Sequence, residues 1–155
     1  MPTNLLRSQS SADITRTPRA AEAGFPRSVL ITAGRVTIRA EVLDTPTGRR
    51  LLAALPLYST AETWGDCVHF EVPVETGRER GARINVTPGD IGFWSEHDRV
   101  IIAFGPTPIS KRREIRLPSP CNMWARSVDD VSLLKAVRPG EKVSVTVAAD
   151  RAAIP

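Results

Sequence analysis

Between residues 28 and 148 the chain alternates apolar and polar positions in short runs. Val36, Ile38, Ala40 and Val42 are separated by Thr37, Arg39 and Glu41, a period of two that buries one face of a strand and wets the other. Val29 and Ile31 precede them across an Ala33-Gly34 turn, so the pair reads as a hairpin. The same alternation recurs at Val68, Phe70, Val72 and Val74, with Cys67, His69 and Glu71 on the opposite face. Ile84 and Val86 make a short extended piece, ended by the turn Thr87-Pro88-Gly89-Asp90. Residues 91–94 and 99–104 read as antiparallel neighbours around the polar stretch Ser95 to Asp98. Cys121 to Ser127 and the run Val143, Val145, Val147 complete the set.

Two segments break the period. Asp44-Thr45-Pro46 is a helix start, with a capping side chain and a proline near the first helical position. Leu51, Leu52 and Leu55 follow on one face, and Pro56 ends it. Gly48 weakens this helix by about 1 kcal/mol relative to alanine, so packing must hold it. Asp129 or Asp130 caps a second short helix, with Val131, Leu134 and Val137 on one face and Pro139-Gly140 behind. The tally is about eight strands and two short helices at close spacing, which predicts a mostly antiparallel barrel or sandwich. Strands do not alternate with long helices, which argues against a parallel sheet. Two one-faced helices suit the open ends of a barrel.

Composition changes this picture little. At 155 residues the chain is sized for one domain. Residues 1–27, rich in Ser, Thr, Ala, Arg and Pro, read as a flexible tail. Residues 28–149 form the barrel domain and 150–155 a short C-terminal tail. No apolar run approaches the roughly 20 residues of a membrane helix, and no secretory pattern opens the chain. A cytoplasmic location without membrane association is the expectation. The net charge is +4, but the basic residues are scattered and only Lys111-Arg112-Arg113 clusters, in a loop, so nucleic acid is not the expected partner. Cys67 and Cys121 make no disulfide framework and no metal-ligand spacing, and both are expected to pack in strands. No cofactor motif stands out, and the oligomeric state is not specified.

Three stretches carry a family resemblance. Thr63-Trp64-Gly65-Asp66 followed by Phe70-Glu71-Val72-Pro73-Val74, then Pro88-Gly89-Asp90-Ile91-Gly92-Phe93-Trp94, then Phe104-Gly105-Pro106-Thr107-Pro108-Ile109-Ser110 resemble, in order, motifs of the bacterial and archaeal cyclophilin-like proteins. Asn122 and the run Val137 to Val143 match as well. The resemblance implies a mostly β fold, a closed eight-stranded antiparallel barrel with a short helix at each end. It implies no defined activity. Authentic cyclophilins carry an "FHR" arginine and a "QGGD" loop, and this chain has neither. Cys67 and His69 also depart from the glutamate and tyrosine usual in the relatives.

The candidate chemistry follows from strand faces. His69 is the best-placed titratable group, with Glu71 two residues on along the same face as its orienting partner. Asn122, Trp124 and Arg126 share a face of the 121–127 strand. The apolar run into Gly105 ends at Pro106 and Pro108, which deny donors to a neighbouring strand and launch a rigid loop over residues 105–119. The expectation is a cleft on the outer wall bounded by the His69 face, the Asn122/Trp124 face and this loop. Trp64, Phe104, Thr107, Asn122 and Trp124 would bind a small molecule or short peptide. In an enzyme catalysing an isomerisation or cyclisation, His69 would act as acid/base with Glu71 and Arg126 in support. Prolyl isomerisation is the less favoured form of that reading.

Overall fold

The computed structural model describes residues 27–149. The expectations for the N-terminal tail up to residue 26 and for residues 150–155 lie outside them. Ten strand segments appear: β1 (Arg27–Ala33), β2 (Val36–Val42), β3 (Leu57–Thr60), β4 (Glu62–Thr63), β5 (Cys67–Glu71), β6 (Arg83–Val86), β7 (Asp90–Trp94), β8 (Arg99–Ala103), β9 (Ile115–Ser127) and β10 (Lys142–Val147). The hydrogen-bonded order is β3-β10-β1-β2-β9-β7-β8-β5-β4, with β6 beside β9, and every pairing is antiparallel.

The two ends of that order, β3 and β4, are consecutive in the chain. Residues 57–63 run as one broken stave that bonds β10 with its first half and β5 with its second. Ala61 sits at the handover, its N–H donating to the Glu141 carbonyl at 2.8 Å and its carbonyl accepting from the Gly140 N–H at 2.8 Å. Counted this way the wall has eight staves, and among the described residues closure leaves no long free edge. A side chain completes the seam where β3 and β5 diverge: the Ser59 hydroxyl donates to the Glu71 carbonyl at 2.5 Å.

The interior follows the alternation. Val29, Ile31, Ile38, Ala40, Phe70, Ile91, Phe93, Val100, Ile102, Trp124, Val143 and Val145 form one buried cluster. The helix α1 (Pro46–Ala54) leaves from the Val42 end of β2 and adds Leu51 to that cluster. Thr45 caps it, its hydroxyl oxygen accepting from the Gly48 N–H at 3.0 Å. Gly48 is no mere weakness: a Cβ there would collide with the Leu43 carbonyl oxygen, so the close approach of α1 to the β2 exit excludes alanine. The second helix (Val131–Ala136) is a 3-10 helix, and the three-residue spacing of Val131, Leu134 and Val137 is the period of that form. Asp130 caps it through the Ser132 N–H at 2.9 Å. It leads into β10 at the end nearest the β1–β2 hairpin, so the two helices close opposite ends of the barrel.

The structure corrects two boundaries. Residues 57–63, too short and mixed to read as strand, form the closing stave. The last long strand begins at Ile115 instead of Cys121, which shortens the proline-rich connection. Pro118 and Pro120 are tolerated because the β6–β9 register jumps there: Asn85 faces Arg116, while Arg83 faces Cys121. The intervening residues bulge out, and their missing N–H groups interrupt no ladder.

Among the described residues no helix is long and apolar enough to cross a membrane.

Candidate functional site

A second apolar cluster lies outside the barrel wall. Cys67, Val86, Ile101, Ala103, Ile115, Leu117, Cys121 and Met123 are buried together, with Trp64 and Trp94 packed on them. Alternation explains this layer. On β8, Val100 and Ile102 point into the barrel, while Arg99, Ile101 and Ala103 point outward. On β9, Cys121 and Met123 point outward. Gly92 of β7, opposite Ile101, lets them come close: a Cβ there would lie 2.9 Å from the Met123 Cε and 3.2 Å from the Cys121 Cβ.

A cavity of about 260 Å³ opens on this layer, lined by Trp64, His69, Trp94, Ile101 and Pro118. Its wall is apolar apart from the imidazole. The two indoles reach it from different directions. Trp94 ends β7, and its ring meets His69 edge-on at 6.3 Å and His97 at 4.3 Å. Its indole N–H is directed at Glu96, at 3.4 Å, and that carboxylate also accepts from the Ser119 hydroxyl at 2.9 Å and from Arg78 at 3.1 Å.

Trp64 stands on the turn before β5, and the proline loop holds that turn in place. The Asp66 N–H donates to the Pro106 carbonyl at 3.0 Å, and the Phe104 N–H donates to the Asp66 carbonyl at 2.9 Å. Gly65 has φ +59° and packs so close to the loop that a Cβ would sit 2.7 Å from the Pro108 Cδ. The loop is itself braced: Thr107 donates its hydroxyl to the Arg116 carbonyl at 2.5 Å, and the Ser110 hydroxyl oxygen accepts from the N–H groups of Thr107 and Arg116, each at 2.9 Å. The rigid exit after Phe104 therefore does more than end a strand. It is the bracket for one wall of the cavity.

His69 has a cationic neighbour. An Arg99 guanidinium nitrogen lies 3.2 Å from its Nδ1, and Arg99 also reaches Glu62 at 3.4 Å. A guanidinium only donates, so Nδ1 is the acceptor and the proton of the neutral ring sits on Nε2. Partial burial lowers the His69 pKa below the ordinary imidazole value; the Arg99 charge adds to this, and Glu62 opposes it. At neutral pH the ring is uncharged and offers one N–H donor. The cysteine below is not a nucleophile: burial pushes the Cys67 thiol up to about 12, and burial does the same for Cys121.

Of the residues singled out from the sequence, Trp64 and His69 meet at this cavity. Glu71 is exposed and lines a separate open groove with Ser59, Val72 and Pro73. Arg126 is bonded to Asp90, which is nearly buried and also accepts from the Thr87 N–H at 3.0 Å, the Thr87 hydroxyl at 3.1 Å and Arg83 at 3.4 Å. That cluster pins the Pro88-Gly89-Asp90 turn. Phe104 packs against the interior cluster, and Thr107 is buried within its loop. Asn122 and Trp124 lie on the inner side of the wall, across the sheet from His69. Asn122 donates to the Thr47 hydroxyl at 3.0 Å and the Gly77 carbonyl at 2.9 Å, and accepts from the Glu79 N–H at 2.8 Å. Trp124 donates to the Gly92 carbonyl at 3.2 Å. Arg99, Ile101, Pro118 and Glu62 were not singled out. The pairing of 91–94 with 99–104 already set Trp94 against Arg99, but the alignment of His69 with Ile101 needed the β5–β8 contact.

These features define a closed antiparallel β-barrel with stoppered ends and an apolar recess on its outer wall. A family model described as cyclophilin-like matches residues 27–146, and the chain belongs to that family. A hypothetical protein from Archaeoglobus fulgidus, known from its solution structure, is 31% identical and superposes with a TM-score of 0.69, covering 79% of this chain and 95% of that one. No curated protein matches.

Proposed function

We propose that the barrel binds a small molecule or short peptide by taking one ring or apolar side chain into the recess between Trp64 and Trp94. One observation carries this reading: two indoles held by separate hydrogen-bonded supports flank an apolar cavity with a single polar group, His69, in its wall. Aromatic walls with one placed donor are what small-ligand sites have in common. The size of about 260 Å³ fits one ring system, just under the roughly 300 Å³ at which drug-sized pockets begin.

A fragment screen read by the indole N–H resonances tests it. Binders should move the signals of Trp64 and Trp94 and leave that of the interior Trp124 in place, and Trp64→Ala should weaken them. A screen in which no fragment moves the Trp64 and Trp94 signals together would remove the reading.

A second reading, catalysis of an isomerisation or cyclisation, is favoured by the tautomer of His69. With Nδ1 facing Arg99, the ring serves as a hydrogen-bond donor that polarises a carbonyl or a twisted amide, not as a resting base. Prolyl isomerisation is its narrowest form. A proline-peptide isomerisation assay with no rate above background would discard that form.

A further inference from the structure

Resting on the binding reading above, we infer that the recess selects a ring-bearing carboxylate, whose anionic group takes the place of Glu62 on Arg99. The register places Arg99 at the rim. It is two residues from the lining residue Ile101 on the outward face of β8, and its cross-strand partner on β7 is Trp94. Its side chain is 20% exposed, so it is shielded from water but reachable. The group that now answers its charge is Glu62 of the two-residue stave β4, whose carboxylate is 56% exposed and 3.4 Å away. Such a pair is loose and solvent-screened, and a better-desolvated anion displaces it readily.

The one polar group of the wall points the same way. His69 turns its acceptor nitrogen to Arg99 and keeps its N–H free of any bond to that guanidinium. A ligand seated between the indoles therefore meets two donors. Of the other carboxylates, Glu96 is engaged by Trp94, Ser119 and Arg78, and Glu71, opposite Arg99 on β5, is exposed and lines the separate groove with Ser59. A carboxylate or carbonyl oxygen is accepted, and an ammonium group is repelled by Arg99. Glu62 acts as a resident competitor that neutralises the arginine while the recess is empty.

Three probes of one shape separate the possibilities: 2-naphthoate, 2-naphthamide and 2-naphthylmethylamine, titrated into the full chain and followed by the three indole N–H signals. Naphthoate should bind at least about tenfold more tightly than the amide, and the amine should not bind. Glu62→Gln should tighten naphthoate about threefold and leave the amide unchanged. Arg99→Met should erase the preference for the acid while the amide still shifts Trp64 and Trp94. Equal affinity for acid and amide, or a naphthoate affinity untouched by Glu62→Gln, overturns the carboxylate inference and leaves the binding reading intact. Silence from all three probes in the unsubstituted protein counts against both.

Discussion

Asn122→Ala is the most telling single change, because the sequence placed this side chain in a ligand cleft and the structure surrounds it with protein. The residue is 1% exposed, and its amide makes three hydrogen bonds to partners far away in the chain: Thr47 in α1, and Gly77 and Glu79 in the loop after β5. Glu79 in turn accepts from the N–H of Thr47 at 2.9 Å and from its hydroxyl at 2.6 Å, so one amide ties a helix start and a long loop to the inner side of β9. A typical internal hydrogen bond contributes about 1 kcal/mol net, so the three together contribute about 3 kcal/mol. Truncation also leaves a small void, but water reaching the loop carbonyl and N–H offsets part of the loss. The expected destabilisation is about 3 kcal/mol, or about 10 °C in Tm for a chain of this size. Urea unfolding followed by tryptophan fluorescence measures it, with calorimetry as a second readout. The recess lies across the sheet, so affinity for a recess-binding fragment should change less than twofold under native conditions. A loss below about 1 kcal/mol would refute the clamp. An intact Tm joined to lost fragment binding would return Asn122 to the ligand.

Further outcomes are equally concrete. Gly48→Ala should destabilise the fold despite the better helix propensity of alanine, because its methyl meets the Leu43 carbonyl; a Tm gain in calorimetry would contradict this. With both thiols pushed up to about 12 by burial, Cys67 and Cys121 should resist iodoacetamide at pH 8 in the native protein and react in urea, and rapid native labelling would refute the buried outer layer. Because the folded-state pKa of His69 is lowered, the unfolded chain binds its proton first as pH falls below about 6.5, and stability drops with it. His69→Gln should therefore flatten the decline of the urea midpoint between about pH 7 and pH 5, and an unchanged slope would contradict the assignment. Gly105→Ala should push aside the Asp66 side chain, which lies 2.5 Å from the position of the added carbon, and weaken fragment binding through Trp64 with little change in the Trp94 signal.

The strands with clear alternation were legible because one face of each is buried in the barrel: Val36 to Val42, Val68 to Phe70 and Val143 to Val145 write the interior directly into the sequence. Thr45-Pro46 and Asp130 announced their helices through capping chemistry, which is local. The closing stave was not legible. Leu57-Tyr58-Ser59-Thr60 has one buried end and an exposed tyrosine, and what makes it a strand is β10, more than eighty residues away. The site was half legible for a related reason. A period of two says which residues share a face, but not which face is inside. His69 was set correctly outward, whereas Asn122 and Trp124 were set outward on their polarity and lie within. The outer apolar layer hid the answer, because Cys121 and Met123 are as hydrophobic as any interior residue. Arg99 was passed over because its partners come from β4 and β5.

The last strand has a kinetic meaning. β10 is not an edge; it lies between β1, the first strand of the described residues, and β3. During synthesis the earliest hairpin can form alone, yet its open flank has no mate until residue 147 has left the ribosome, because Val29 pairs with Val147. The ring thus closes only once β10 is in place between β1 and β3. Loss of β10 would remove an interior slat rather than fray an end, and would leave an open cylinder.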